Sequence, residues 1–257
     1  MDTLLILMIP LLGTTLGAGA VFFMKRTLRP TVDKLMTGFA SGVMIAASIW
    51  SLILPSIEMS QGYALTFLPA AVGFSLGIGF LMLLDRLTPL FQKETIPAYT
   101  DTEKLKKTTK MVLAITLHNI PEGLAVGVIA AAAIRGESGV TMTCALILAT
   151  GIAIQNFPEG AIVSIPLRVL GMKRGKAFLL GALSGVCEPI AGALTLLLTG
   201  AVSAALPYLL SFAAGAMFYV VTEELIPEAN AGEEGSVATI GLTAGFLLMM
   251  ILDVQFG

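Results

Sequence analysis

The sequence predicts an all-α polytopic membrane protein of eight transmembrane helices, in which spans 1–3 and 6–8 are inverted copies around a central pair, spans 4 and 5. Three observations predict it. The 257 residues are 56% hydrophobic and 12% charged, with mean hydropathy +0.91. A soluble domain carries about 25% charged residues, so this chain has too few to cover a water-facing surface. Apolar runs near 20 residues recur along it, each long enough to cross a bilayer as a helix. Finally, short motifs recur between spans that run in opposite directions.

The elements follow in order. Span 1 is read over 4–24. The only charged residue before it is Asp2, and Lys25 and Arg26 follow it, the reverse of a signal peptide with its positive leading segment. Span 2 covers 36–54 and span 3 covers 66–84. The one long connection, 85–108, is polar and Pro-containing and reads as a cytoplasmic loop. Spans 4 (109–134), 5 (140–167) and 6 (176–201) exceed the length a crossing needs, which implies tilt or extension into water. Spans 7 (207–227) and 8 (236–254) complete one membrane domain, 1–257.

Basic residues orient the bundle. Lys25, Arg26, Arg29 and Lys34 lie between spans 1 and 2. Arg86, Lys93, Lys104, Lys106, Lys107 and Lys110 lie between spans 3 and 4, and Arg168, Lys173, Arg174 and Lys176 between spans 5 and 6. Of the 15 basic residues only Arg135 is on an even-numbered loop. The positive-inside rule therefore puts the odd loops in the cytoplasm and both termini outside. Cys144 and Cys187 fall within spans, belong to no CxxC pair, and read as small packing residues.

Leu117–Val128 reads LHNIPEGLAVGV and holds the only histidine; Ile154–Ile165 reads IQNFPEGAIVSI. His118-Asn119-Ile120-Pro121-Glu122-Gly123 and Gln155-Asn156-Phe157-Pro158-Glu159-Gly160 agree at four of six positions, in consecutive and therefore antiparallel spans. Related helices of opposite direction imply a pseudo-two-fold axis in the membrane plane. A weaker echo relates Phe39–Met44 (FASGVM) to Phe212–Met217 (FAAGAM) at an offset of 173. Leu52-Ile53 and Leu225-Ile226 keep that offset, with Pro55 and Pro227 close behind.

These segments carry chemistry. His118 and Glu122, four apart, share a helix face, and Asn119 is three from Glu122. Pro121 and Pro158 release the carbonyls of Leu117 and Ile154 from the helix ladder, while Gly123 and Gly160 permit close helix approach. Each helix thus offers a carboxylate, an amide and a spare carbonyl at membrane depth. Charge there costs roughly 2.5–3.5 kcal/mol or more, which points to function. Facing carboxylates also repel unless one is protonated or a cation lies between them. Imidazole with carboxylate and amide oxygens suits zinc, iron, manganese and similar metals. Glu188, followed by Pro189 in span 6, is the natural third carboxylate. Glu223, Glu224 and Glu228, near the cytoplasmic end of span 7, are either a release path or a solvated helix end. Glu58, at the outer end of span 2, is a candidate for the mouth of the pathway.

The paired motifs, HNxPEG in span 4 and xxPEG in span 5, resemble those of the ZIP (Zrt-, Irt-like) metal transporters, and the resemblance extends over nearly the whole chain. It implies eight spans with both termini outside, and uptake of Zn2+ and related divalent metals into the cytoplasm. It also implies a two-metal site. His118, Glu122, Gln155 and Glu159 resemble one half; Asn119, Glu122, Asn156, Glu159 and Glu188 resemble the other, with Glu122 and Glu159 bridging. Glu223 and Glu224 resemble residues of the inner release path. A homodimer in the plasma membrane is implied, with metal as substrate, no separate cofactor and no nucleic-acid partner. Two departures stand out. Asn156 replaces the Asp of some relatives and removes a charge, and 85–108 lacks the histidines of many relatives' cytoplasmic loop. The resemblance favours an alternating-access carrier of the elevator kind, with a metal-selective channel as the alternative. An intramembrane metalloprotease would want HExxH, which the sequence lacks.

Overall fold

The structure, a computed structural model, describes residues 3–23, 29–92, 102–137, 140–169, 171–199, 205–231 and 235–256; within helices, the side chains at 84, 87–92, 102–115, 117–118, 199 and 235 lie outside the description. The described residues are mostly helical, with short turns such as 60–67 between the helices, and contain no strand. Span 1 is α1 (Thr3–Ala18), tightening into a 3-10 turn at Gly19–Phe22. Span 2 is α2 (Pro30–Ala47), a π-helical turn (Ser48–Ile53) and α3 (Leu54–Met59). Spans 3, 4 and 5 are α4 (Leu68–Gln92), α5 (Thr102–Arg135) and α6 (Met142–Val169). Span 6 is split into α7 (Arg174–Ser184) and α8 (Cys187–Thr199). Span 7 is α9 (Leu206–Val220), a second π-helical turn (Val221–Leu225) and α10 (Ile226–Ala229), and span 8 is α11 (Gly235–Phe256).

Six of these stretches are long and apolar enough to cross a membrane. The apolar part of α4, Leu68–Leu83, and the 34-residue α5 make up the eight. Leucines such as Leu4, Leu197 and Leu198 point outward, where lipid rather than water gives them an apolar neighbour.

Three details differ from the sequence reading. Helix α4 continues to Gln92 and α5 starts at Thr102, so much of 85–108 is helical, while 93–101 lies outside the described residues. Extending a formed helix into water adds one hydrogen bond per residue with no new nucleus, so it is cheap. Span 6 is not one helix. Pro189 has no N–H for the Gly185 carbonyl, and the N–H groups of Gly185, Val186 and Glu188 bond three residues back instead of four. Spans 2 and 7 each contain a π-helical turn just before a proline. Pro55 and Pro227 cannot donate to the carbonyls of Ser51 and Glu223, and the ladder widens there.

The π-helical turns start at Ser48 and Val221, which are related by the same offset of 173 as the sequence echo. The inverted repeat is thus written into the backbone irregularities as well as the residues. A third echo follows: Gly73, Gly77 and Asp85 of α4 recur as Gly241, Gly245 and Asp253 of α11, at an offset of 168. Asp85 accepts a hydrogen bond from Tyr219 of α9 at 2.8 Å, and Asp253 accepts one from Ser51 of span 2 at 2.7 Å.

Packing obeys the same symmetry. Helix α2 lies along α11 and α4 along α9, while α1 lies along α6 and α8 along α5. Glycines bring the backbones together: Gly42 sits against Leu242 and Gly77 against Phe212 with no room for a side chain. The apolar core formed by these helices encloses a small polar region.

Candidate functional site

Asn119, Glu122, Gln155 and Asn156 are fully buried, Glu188 is 1% exposed and Glu159 is 6% exposed. They come from α5, α6 and the start of α8, and the helix pairing explains their meeting. On α5, Gly123 packs against the backbone of Glu188; on α6, Gly160 packs against the backbone of Thr14 in α1. The glycine that follows each glutamate thus draws a neighbouring helix against the motif. Helices α5 and α6 run unbroken through Pro121 and Pro158.

The polar contacts tie the helices to one another. Gln155 donates from Nε2 to Oε1 of Glu122, and the same nitrogen lies 3.3 Å from Oδ1 of Asn156. Asn156 Nδ2 donates to the carbonyl of Pro10 at 3.4 Å, and Thr14 Oγ1 donates to Oε1 of Glu188 at 3.1 Å. Asn119 Nδ2 donates to the carbonyl of Ser184 at 3.2 Å, capping the end of α7 where span 6 breaks. Glu188 falls in the first turn of α8, where the helix dipole favours a negative charge. Glu159 and Glu188 act electrostatically on Glu122, and Glu159 on Glu188.

Four buried oxygens in this cluster have no hydrogen-bond donor: Asn119 Oδ1, Glu122 Oε2, Gln155 Oε1 and Glu188 Oε2. Unsatisfied polar atoms are costly and rare in protein interiors. Here they are all acceptors, and their carriers meet in one place. A cation answers acceptors, whereas an additional hydrogen-bond acceptor would not. Among the described residues no three His, Cys, Asp or Glu side chains form a closed ligand cage; the remaining donors of the cluster are amides. The backbone of His118 lies in α5 one turn before Glu122, and its side chain is outside the described residues.

Not every candidate joins the cluster. Glu223 and Glu224 sit in the π-helical turn of span 7, exposed and half-buried respectively. Their charges act on Tyr219 beside Asp85, and they are not among the charges acting on Glu122 or Glu188. Glu228 is exposed on α10. Glu58 is exposed at the opposite end of the bundle. It lines a cavity of about 190 Å3 with Trp50, Ser51, Cys144 and Asp253.

The cysteines are free, as expected, but neither is simple packing. Cys144 is on the wall of that cavity, 3.2 Å from Thr141 Oγ1. Cys187, at the break in span 6, donates to the carbonyls of Thr116 and Ser184 at 3.1 and 3.3 Å. Sequence reasoning missed Thr14, Pro10 and Ser184. The signal for Ser184 was present in Ser184-Gly185 four residues before a proline; Thr14 gave none beyond a hydroxyl in an apolar span.

Comparison with known proteins shows which family the chain resembles. The family model described as ZIP Zinc transporter matches residues 108–253. Zinc transporter ZIP11 of Xenopus tropicalis is 37% identical over 95% of this chain and 94% of its own length. Zinc transporter ZIPB of Bordetella bronchiseptica is 37% identical over 95% of this chain and 78% of its own. Zinc transporter ZupT of Chlorobaculum parvum is 31% identical over 96% and 95%.

Proposed function

Because the chain belongs to the ZIP zinc transporter family, a family of membrane transporters rather than enzymes, we propose that it carries Zn2+ and related divalent metal ions into the cytoplasm through the buried polar cluster. The observation that carries this reading is the set of four donorless oxygens on Asn119, Glu122, Gln155 and Glu188. His118 and the carboxylate of Glu159 complete the proposed ligand set, with Glu122 and Glu159 shared between two ion positions near the membrane midplane. Imidazole, carboxylate and amide donors together suit a first-row dication. The ion is substrate, not a resident cofactor.

The route runs from the cavity beside Glu58 and Asp253, on the side of the termini and outside the cell, to the end of span 7 at Glu223 and Glu224. Chain 1–257 acts as one transport domain in the plasma membrane, as a homodimer, with 85–108 facing the cytoplasm. Movement is by alternating access of the elevator kind, spans 1, 4, 5 and 6 against the others. The pairing of α1 with α6 and of α5 with α8, apart from the α2–α11 and α4–α9 pairs, supports that division.

Uptake by the purified chain in proteoliposomes, across Zn2+, Fe2+, Mn2+, Cd2+ and Mg2+, tests the proposal. Saturating, metal-selective uptake is expected. Uptake that matches empty vesicles for every metal would reject it, and a non-saturating conductance would reject the carrier mechanism.

A further inference from the structure

Thr14 stands in a span that otherwise reads as plain membrane helix, yet it is fully buried. Its hydroxyl reaches Oε1 of Glu188 at 3.1 Å, with the carbonyl of Pro10 farther away at 3.4 Å. One turn back, that Pro10 carbonyl accepts the amide of Asn156. A single turn of α1 therefore holds both Glu188 and Asn156, which arrive from different helices.

The inverted repeat gives this contact a meaning. Gly123 meets the backbone of Glu188, and its counterpart Gly160 meets the backbone of Thr14. Thr14 thus takes on α1 the place that Glu188 takes on α8. Where strict symmetry would set a fourth carboxylate facing the third, α1 supplies a proton donor. That donor binds Oε1 of Glu188 and leaves Oε2 as the buried oxygen without a donor.

We infer that Thr14 is a positioning residue for transport: its hydroxyl fixes Oε1 of Glu188 so that Oε2 alone is presented to the cation, and with the Pro10 carbonyl on Asn156 it makes α1 the wall that shapes the half of the site formed by Asn119, Asn156 and Glu188. This rests on the buried cluster being the transport site. Thr14→Val keeps the shape but removes the donor, leaving Oε1 of Glu188 buried and unanswered; Thr14→Ser keeps the donor. Groups that hold metal ligands in place typically contribute about 10–100-fold in affinity or activity.

The test compares wild type, Thr14→Val, Thr14→Ser and Glu122→Gln as full chains in proteoliposomes. Zn2+ uptake is measured against concentration, Zn2+ affinity by calorimetry, and thermal stability in detergent. Thr14→Val is expected to raise the half-saturating Zn2+ concentration and weaken affinity by about tenfold or more, with Thr14→Ser close to wild type. In a Glu188→Gln background, Thr14→Val should add little further loss. Wild-type half-saturation and affinity in Thr14→Val overturn the inference whether or not the melting temperature falls. If Thr14→Val does not fold, Thr14→Ala removes the same donor with less crowding and is read the same way. Glu122→Gln separates the two ideas: wild-type transport by it rejects the central site itself, whereas a dead Glu122→Gln beside an unaltered Thr14→Val rejects only the role of Thr14.

Discussion

The amide of Gln155 on α6 is hydrogen-bonded to Oε1 of Glu122 on α5, so the two repeat segments are joined through unlike members. Gln155 aligns with His118, not with Glu122. The bond uses one oxygen of Glu122 and leaves the other, with Oε1 of Gln155, as neighbouring acceptors without donors. A cation between them would satisfy both.

Glu122→Ala and Glu159→Ala are therefore each expected to abolish nearly all uptake. Each removes a carboxylate proposed to serve both ion positions, from a place where charge is retained only for function. Transport is compared at equal expression. A rate above roughly half of wild type in either variant would mean that the central site is elsewhere, since losing a charged ligand or its support is worth about tenfold or more.

Gly123→Ala is expected to destabilise the protein rather than to alter selectivity. A Cβ at 123 meets the backbone of Glu188, which cannot swing aside as a side chain can. Overpacking of this kind costs about 1–3 kcal/mol. Thermal unfolding in detergent should show a lower melting temperature, whereas the metal preference of the folded fraction should match wild type. An unchanged melting temperature would show that α5 and α8 can part at no cost.

The sequence made the cluster legible because burial of charge in a membrane helix is conspicuous: Glu122, Glu159 and Glu188 each interrupt an apolar run and adjoin a proline. Eight spans were legible for the same reason, from apolar length. The break in span 6 was hidden because a transmembrane stretch is recognised by composition, which is blind to whether each carbonyl finds its N–H. The π-helical turns are a consequence of Pro55 and Pro227 that only the backbone reveals. Thr14 was illegible because threonines in membrane helices usually bond their own backbone four residues back; its reach to Glu188 depends on how α1 packs. The end of α4 is not legible in the sequence because a polar segment reads as loop, although a helix that is already formed continues readily into water.

His118 is expected to set the preference among metals. It is the only imidazole in the chain, and nitrogen donors favour zinc-like over magnesium- or manganese-like ions. His118→Asp should shift relative uptake toward harder cations. Competition of Mn2+ and Mg2+ against Zn2+ in proteoliposomes measures it, and an identical ranking in the variant would remove His118 from the selectivity mechanism.

Zn2+ binding should release protons and weaken as pH falls. Metal ligands must be deprotonated to bind, so a dication entering among carboxylates and imidazole displaces whatever protons they hold. Calorimetry in two buffers of different ionisation enthalpy reads the number released. Equal binding heats in the two buffers, with affinity independent of pH between 5 and 8, would contradict ligation by these groups.

Asn156→Asp is expected to strengthen the binding of a second ion. The proposed ligands peculiar to the second position are Asn119, Asn156 and Glu188, of which only Glu188 is charged. Two dications would place four positive charges beside the three carboxylates of Glu122, Glu159 and Glu188, whereas one dication leaves a net −1 and little repulsion. The first ion should therefore bind tightly and the second weakly. A carboxylate at 156 would supply a fourth negative charge on α6, beside the wall of α1 where the Asn156 amide now donates to Pro10. That donor would be lost, so the gain in charge is partly offset by the loss of the hydrogen bond that ties α6 to the Pro10 carbonyl of α1. Such a hydrogen bond is worth about 0.5–1.5 kcal/mol net, less than the several kcal/mol between unit charges at 4 Å in a medium of effective dielectric near 20, about 4 kcal/mol. Charge should win. Zn2+ calorimetry is expected to show one tight and one weak event in the wild type and two tighter events in the variant; two equal tight sites in the wild type, or no added affinity in the variant, would show that charge does not control the second position.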